Sequence, residues 1–167
     1  MPNTIATTID KAQDGLGFWT AMLIFPMVLI VLYEVLMRYL FNAPTSWGFE
    51  ATTFLYGIHY MLGFGYTLKY NGHVKVDVFV SLLSTKKQRV ISLLTHLIFF
   101  IPVYVLLSWG SVKFAWTSIQ GLEKSWTSWA PPIYPLKTLM AIGFIMLLLQ
   151  GVSSIIKDIR RIRGVEG

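Results

Sequence analysis

The chain has 167 residues and a formal net charge of +6, with 54% apolar and 13% charged side chains and a mean hydropathy of +0.59. Soluble domains carry about a quarter charged residues because their surfaces face water, so this composition excludes an ordinary water-soluble enzyme. Cysteine is absent, which excludes disulfides, thiolate metal sites and a cysteine nucleophile.

The apolar residues gather into stretches near the ~20 residues needed to cross hydrocarbon. They predict an all-α membrane protein, a single domain of four transmembrane helices over 16–40, 47–70, 90–116 and 133–157. Ahead of the first span, Asp10, Lys11 and Asp14 form a polar segment. A cleaved signal has a basic, acid-free start and a small-residue cleavage site, so this stretch reads as a retained helix. Pro26 lacks an N–H and should kink that helix, and Asn42, Ala43 and Pro44 end it. Thr45 or Ser46 is expected to cap span two, with Glu50 near its positive end. Thr53 and Gly57 form a small-x-x-x-small pair that permits close helix approach.

Between spans two and three, Val78, Phe79, Leu82 and Leu83 recur with helical spacing and predict a short amphipathic helix at the membrane interface. Lys86, Lys87 and Arg89 would then face anionic headgroups of the membrane lipids. Span three contains Pro102. Thr117 to Trp129 reads as a short interfacial segment, Pro131, Pro132 and Pro135 as an extended or turn-like entry to span four, and KDIRRIRG as its basic anchor.

Four spans put both termini on one side, together with the connection between spans two and three. That side carries ten Lys and Arg against four on the other, so by the positive-inside rule both termini are cytoplasmic. Trp47, Trp116, Trp126 and Trp129 fall at headgroup depth on the opposite side, consistent with an aromatic belt. The basic residues flank apolar stretches and form no single hydrophilic face, which argues against nucleic acid as a partner.

Few residues offer chemistry. Glu34 and Arg38 stand one turn apart on one helix face. They read as a structural ion pair near the outer interface, as a contact to a partner protein, or as part of an ion path. Glu50 is either a helix-start carboxylate or a group reaching Arg38 across the short outer connection. His59 and His96 lie within spans two and three, so a haem-bearing electron-transfer subunit is the alternative reading. No nucleophile elbow, zinc motif or phosphate-binding glycine loop occurs, and no carboxylate pair is placed for acid–base work. No catalytic residue, metal site or cofactor is therefore expected, and the chain reads as a non-enzyme that assists another protein.

Two stretches carry more than composition. The run EVLMRYLFNAPTSWGFE, Glu34 to Glu50, followed by GFGYTLKYNGHVKVD, Gly63 to Asp77, resembles the small membrane subunit of tripartite ATP-independent periplasmic (TRAP) transporters. In that family a glutamate and an arginine one turn apart end the first span. An aromatic, a proline and a W-x-x-E start the second, and G-H-V-x-V-D follows it. The resemblance implies a bacterial inner-membrane complex in which an extracytoplasmic binding protein captures an organic acid and a large multispan subunit moves it inward, commonly with sodium. It implies a scaffolding role for the small subunit, with Glu34, Arg38, Trp47, Glu50, His73 and Asp77 as structural or partner-contact residues.

Overall fold

The computed structural model describes residues 4–70, 72, 80 and 82–162. Its helices are α1 (Thr4–Met22), α2 (Ile24–Tyr39), α3 (Gly48–Lys69), α4 (Thr85–Thr95), α5 (Ile101–Gln120) and α6 (Tyr134–Ile162), with a wide π-type turn, His96–Phe100, between α4 and α5. Among the described residues there is no strand, only one isolated bridge pairing Lys124 with Pro132.

Proline decides where two long helices deviate. A proline at position i removes the bond to the carbonyl of i−4 and crowds it. For Pro26 that carbonyl belongs to Met22, and α1 gives way to α2 at Leu23. Leu23 N–H turns back to the Thr20 carbonyl at 3.1 Å, and Met27 N–H bonds Leu23 at 3.3 Å. Pro102 likewise follows the wide turn, which accommodates the unpaired carbonyls without ending the helix.

Asn42 closes the first arm with a φ of 49°, a left-handed conformation that asparagine tolerates. Thr45 caps the next helix, its hydroxyl accepting the Gly48 N–H at 3.1 Å. Pro135 stands within the first turn of α6 and not before it; a missing N–H costs nothing there.

The contacts arrange three rods around the fourth, α6. α3, α5 and α1 lie against α6, whereas α2 meets α3 and the end of α1. Asp10 and Ala6 of α1 meet Lys157 and Ser153 of α6, so α1 begins where α6 ends. We call this the terminal end, and the opposite one, carrying Trp47, Trp126 and Trp129, the tryptophan end.

The interior is small and polar. Gln13, Gln150 and Ser153 are the largest fully buried side chains, while many leucines, phenylalanines and tryptophans are exposed and Leu147 is the one large apolar side chain buried among the described residues. α5 buries Ser108, Ser111, Ala115 and Ser118. This inversion of a soluble core is the packing expected in lipid, where close backbone approach and interhelical hydrogen bonds replace the hydrophobic drive. The closest approach of a glycine to another helix's backbone is at Gly143, where an added Cβ would stand 2.6 Å from the Met61 carbonyl oxygen of α3. The Thr53–Gly57 pair does less: Thr53 is exposed and bonds the Phe49 carbonyl of its own helix.

Three segments, Ile5–Tyr39, Thr85–Gln120 and Tyr134–Ile162, are long and apolar enough to cross a membrane. α3, at 22 residues, is shorter but still long enough to span; it is less apolar because Thr52, Thr53, His59 and its tyrosines dilute it. The first membrane segment starts well before residue 16, and Asp10 and Asp14 lie inside α1 instead of in a tail. Of the predicted interfacial helix, Val78 and Phe79 lie outside the described residues. Leu82 and Leu83 precede α4 in turn and bend conformation.

Candidate functional site

The corner between α2 and α3 at the tryptophan end brings together Glu34, Arg38, Trp47 and Glu50. Arg38 donates to Glu34 Oε1 from both Nη2, at 2.6 Å, and Nε, at 3.2 Å. The other carboxylate oxygen accepts the Thr45 hydroxyl and, at 3.2 Å, the Thr45 N–H. Glu34 thus anchors the short α2–α3 connection while Arg38 is half exposed (51% of its side chain). A Cβ at Gly48 would stand 2.7 Å from Thr45 Oγ1 and 2.9 Å from Glu34 Oε2, so a larger residue there would push this anchor aside.

Trp47 stacks on Tyr33 with ring centroids 5.9 Å apart and leans on Trp129 at 6.3 Å. Glu50 is buried, and its Oε2 accepts the Thr127 hydroxyl at 2.5 Å. Glu50 therefore holds the α5–α6 loop; Arg38 is engaged by Glu34 instead. That loop is pinned further by Lys137, 2.5 Å from Glu123. The hydrogen bond from Lys137 holds the Glu123 carboxyl below its usual range. His73 and Asp77 lie outside the described residues.

Beside the Glu34–Arg38 pair, a lateral cleft of about 270 Å³ opens between α2 and α3, lined by Val31, Val35, Tyr39, Phe49 and Thr52 as well as the pair itself. Phe49 and Tyr39 are 81% and 77% exposed at its rim. No residue of α2 is buried.

A second polar cluster occupies the terminal end. Asp10 Oδ1 accepts from Ser153 at 3.1 Å and Gln150 at 3.2 Å, while its Oδ2 accepts from Lys157 at 2.5 Å. Asp14 pairs with Lys69 and accepts from Tyr70 at 3.0 Å. Gln13 donates to the Met146 carbonyl at 2.7 Å. Ser92 of α4 donates to Asp158 of α6 at 3.1 Å. Sequence reasoning overlooked this cluster by placing Asp10 and Asp14 in a polar segment ahead of the first span. The available signal was spacing: Asp10, Gln13, Asp14 and Gly17 recur at one helix face, as do Gln150, Ser153 and Lys157.

The histidines do not form a pair. His59 Nδ1 lies 2.9 Å from the Thr20 carbonyl and His96 Nδ1 lies 2.8 Å from the Ser92 carbonyl. They line separate clefts, so the haem alternative gains no support. Among the described residues, no three His, Asp or Glu side chains are grouped to hold a metal ion.

Long apolar helices around a polar interior, with charges confined to the two ends, define a multi-pass membrane subunit. Residues 27–161 match the family model of the DctQ component of tripartite ATP-independent periplasmic transporters. The chain belongs to this family. It is also similar to the C4-dicarboxylate TRAP transporter small permease protein DctQ of Vibrio cholerae, 29% identical over 76 residues. That alignment spans 46% of this chain and 33% of the relative, about a third of the relative's length. The family match bears out the resemblance seen in the Glu34–Glu50 and Gly63–Asp77 runs.

Proposed function

We propose that this chain is the non-catalytic small permease subunit of a TRAP-type secondary transporter, a fixed frame for the large membrane subunit. The large subunit moves an organic acid inward with a cation, sodium in this reading, after an extracytoplasmic binding protein delivers it. The name of the Vibrio relative, a C4-dicarboxylate transporter subunit, supports an organic acid as the substrate class. In this reading α3 is the fourth span, and the terminal end faces the cytoplasm.

The observation that carries the proposal is α2. It buries no residue and leaves an apolar face beside the Glu34–Arg38 cleft. An intramembrane arginine held by one carboxylate and half exposed is expensive against lipid, and a partner helix would cover it. Glu34 then keeps Arg38 extended for that contact.

The test is Arg38→Glu in the co-expressed complex. It should reduce co-purification of the large subunit and uptake into proteoliposomes supplied with the binding protein. Normal assembly and transport would sink the assignment. Orientation has its own test because the chain lacks cysteine: Trp126→Cys should react with an impermeant maleimide from the periplasmic side, and Arg161→Cys should not.

A further inference from the structure

α3 and α4 both rest on α6 without touching each other. At the terminal end the gap between them forms a cleft of about 160 Å³, lined by Lys69, Lys157, Arg161, Ser92, His96 and Asp158 among others. We propose that this cleft binds the headgroup phosphate of an anionic phospholipid from the cytoplasmic leaflet. The proposal rests on the membrane reading above, which places this end of the bundle at that leaflet.

The charges fit a singly ionised phosphodiester. Lys69, Lys157 and Arg161 line the cleft together with one carboxylate, Asp158. Behind them Asp14 engages Lys69 and Asp10 engages Lys157, while Arg89 reaches the Arg161 carbonyl at 3.4 Å. Of these groups four are cationic and three anionic, leaving one positive charge for a phosphate to balance. Each lysine ammonium carries three N–H groups and the arginine five. A phosphate oxygen can therefore be met without breaking the ion pairs with Asp10 and Asp14.

The surroundings fit an amphiphile better than a free anion. One turn from His96 toward the membrane interior, Phe99 is 66% exposed, and Leu97 and Ile98 beside it are 56% and 57% exposed. Phe100 lies against the His96 ring at a centroid distance of 5.4 Å. Polarity thus gives way to hydrocarbon within one helical turn, as it does from headgroup to acyl chain. Basic pockets between transmembrane helices on the cytoplasmic side recognise anionic headgroups by this combination.

The experiment uses the delipidated complex and, separately, the full chain in nanodiscs, read by native mass spectrometry and by the thermal unfolding midpoint. Phosphatidylglycerol should bind more tightly than phosphatidylcholine and raise the midpoint. Arg161→Gln, at an exposed position, should weaken that preference roughly five-fold, the effect of one cation near an anionic lipid. Lys113→Gln, at the opposite end, should leave it unchanged. Equal binding of the two lipids would overturn the proposal, as would an unaltered preference in Arg161→Gln. So would inorganic phosphate producing the same shift, or lipid preference in the nanodisc chain that vanishes in the complex because a partner carboxylate fills the cleft. Failure of the wild-type chain to co-purify with a large subunit would instead refute the transporter-subunit reading, and the nanodisc arm would still decide the lipid site.

Discussion

At the terminal end, ion pairs and hydrogen bonds join different helices: α1 to α6 through Asp10 and Lys157, α1 to α3 through Asp14 and Lys69, α4 to α6 through Ser92 and Asp158. At the tryptophan end the pair Glu34 with Arg38 stays within one helix, and the remaining ties run through loops. The first arrangement fixes how rods pack. The second leaves rod positions to apolar contact and holds a guanidinium at the bundle's edge. Charges that link helices serve the fold, and a charge pair within one helix is at liberty to serve a partner.

The largest effect should come from neither end but from the approach that both presuppose. Gly143→Ala places a methyl against the Met61 carbonyl, a clash with backbone that side-chain rotation does not relieve. It should cost about 3 kcal/mol, read by reversible unfolding in mixed micelles. Next, Lys157→Met leaves Asp10 without its ammonium in a partly buried site, at a cost of about 2 kcal/mol. Adding Asp10→Asn should restore most of it, and a double-mutant cycle without coupling would break the contrast drawn between the two ends.

Arg38→Gln should change the chain's own stability by less than about 1 kcal/mol, because the Arg38 side chain is half exposed and Glu34 keeps its bonds to Thr45, while still weakening assembly with the large subunit. A loss of stability comparable to Lys157→Met would erase the distinction.

Smaller still is the response of the tryptophan-end loop to acid. Glu123 is held below its usual value of 4.5 by Lys137, so its contribution is present above that value and lost as pH falls through the lowered one. The Ile133 amide, bonded to the Glu123 carbonyl at 2.9 Å, should therefore lose hydrogen-exchange protection in that acidic range only. Glu123→Gln should abolish the pH step. Trp126→Ala, at a side chain 99% exposed, should leave stability within about 0.5 kcal/mol of the parent.

What was legible in the sequence divides along the same line. The Glu34–Arg38 pair, the Thr45 cap and the kink near Pro26 are local, set by residues within one or two turns, and spacing alone revealed them. Asp10 with Lys157 is a contact between the two ends of the chain, and no helical period contains it. α3 is the expected span that composition marks least clearly, since it is not among the three segments apolar enough to cross a membrane. Its threonines bond carbonyls of their own helix, as Thr52 does Gly48 and Thr67 does Gly63, while His59 meets the Thr20 carbonyl of α1. Gly143 was invisible for a related reason: a glycine reads as an interface residue only once its opposing backbone is known.

The wide turn at His96–Phe100 has a consequence for phase. Three turns of ordinary α-helix take up about eleven residues, yet His96, which lines the α6 cleft, and the buried Ser108 stand twelve apart. The surplus residue in the wide turn rewinds the rod so that the polar stripe of α4 and the serine stripe of α5 address the same neighbour. Deleting one residue there would swivel the lower half by about 100°, aiming Ser92 and Arg89 into hydrocarbon while leaving every helix intact.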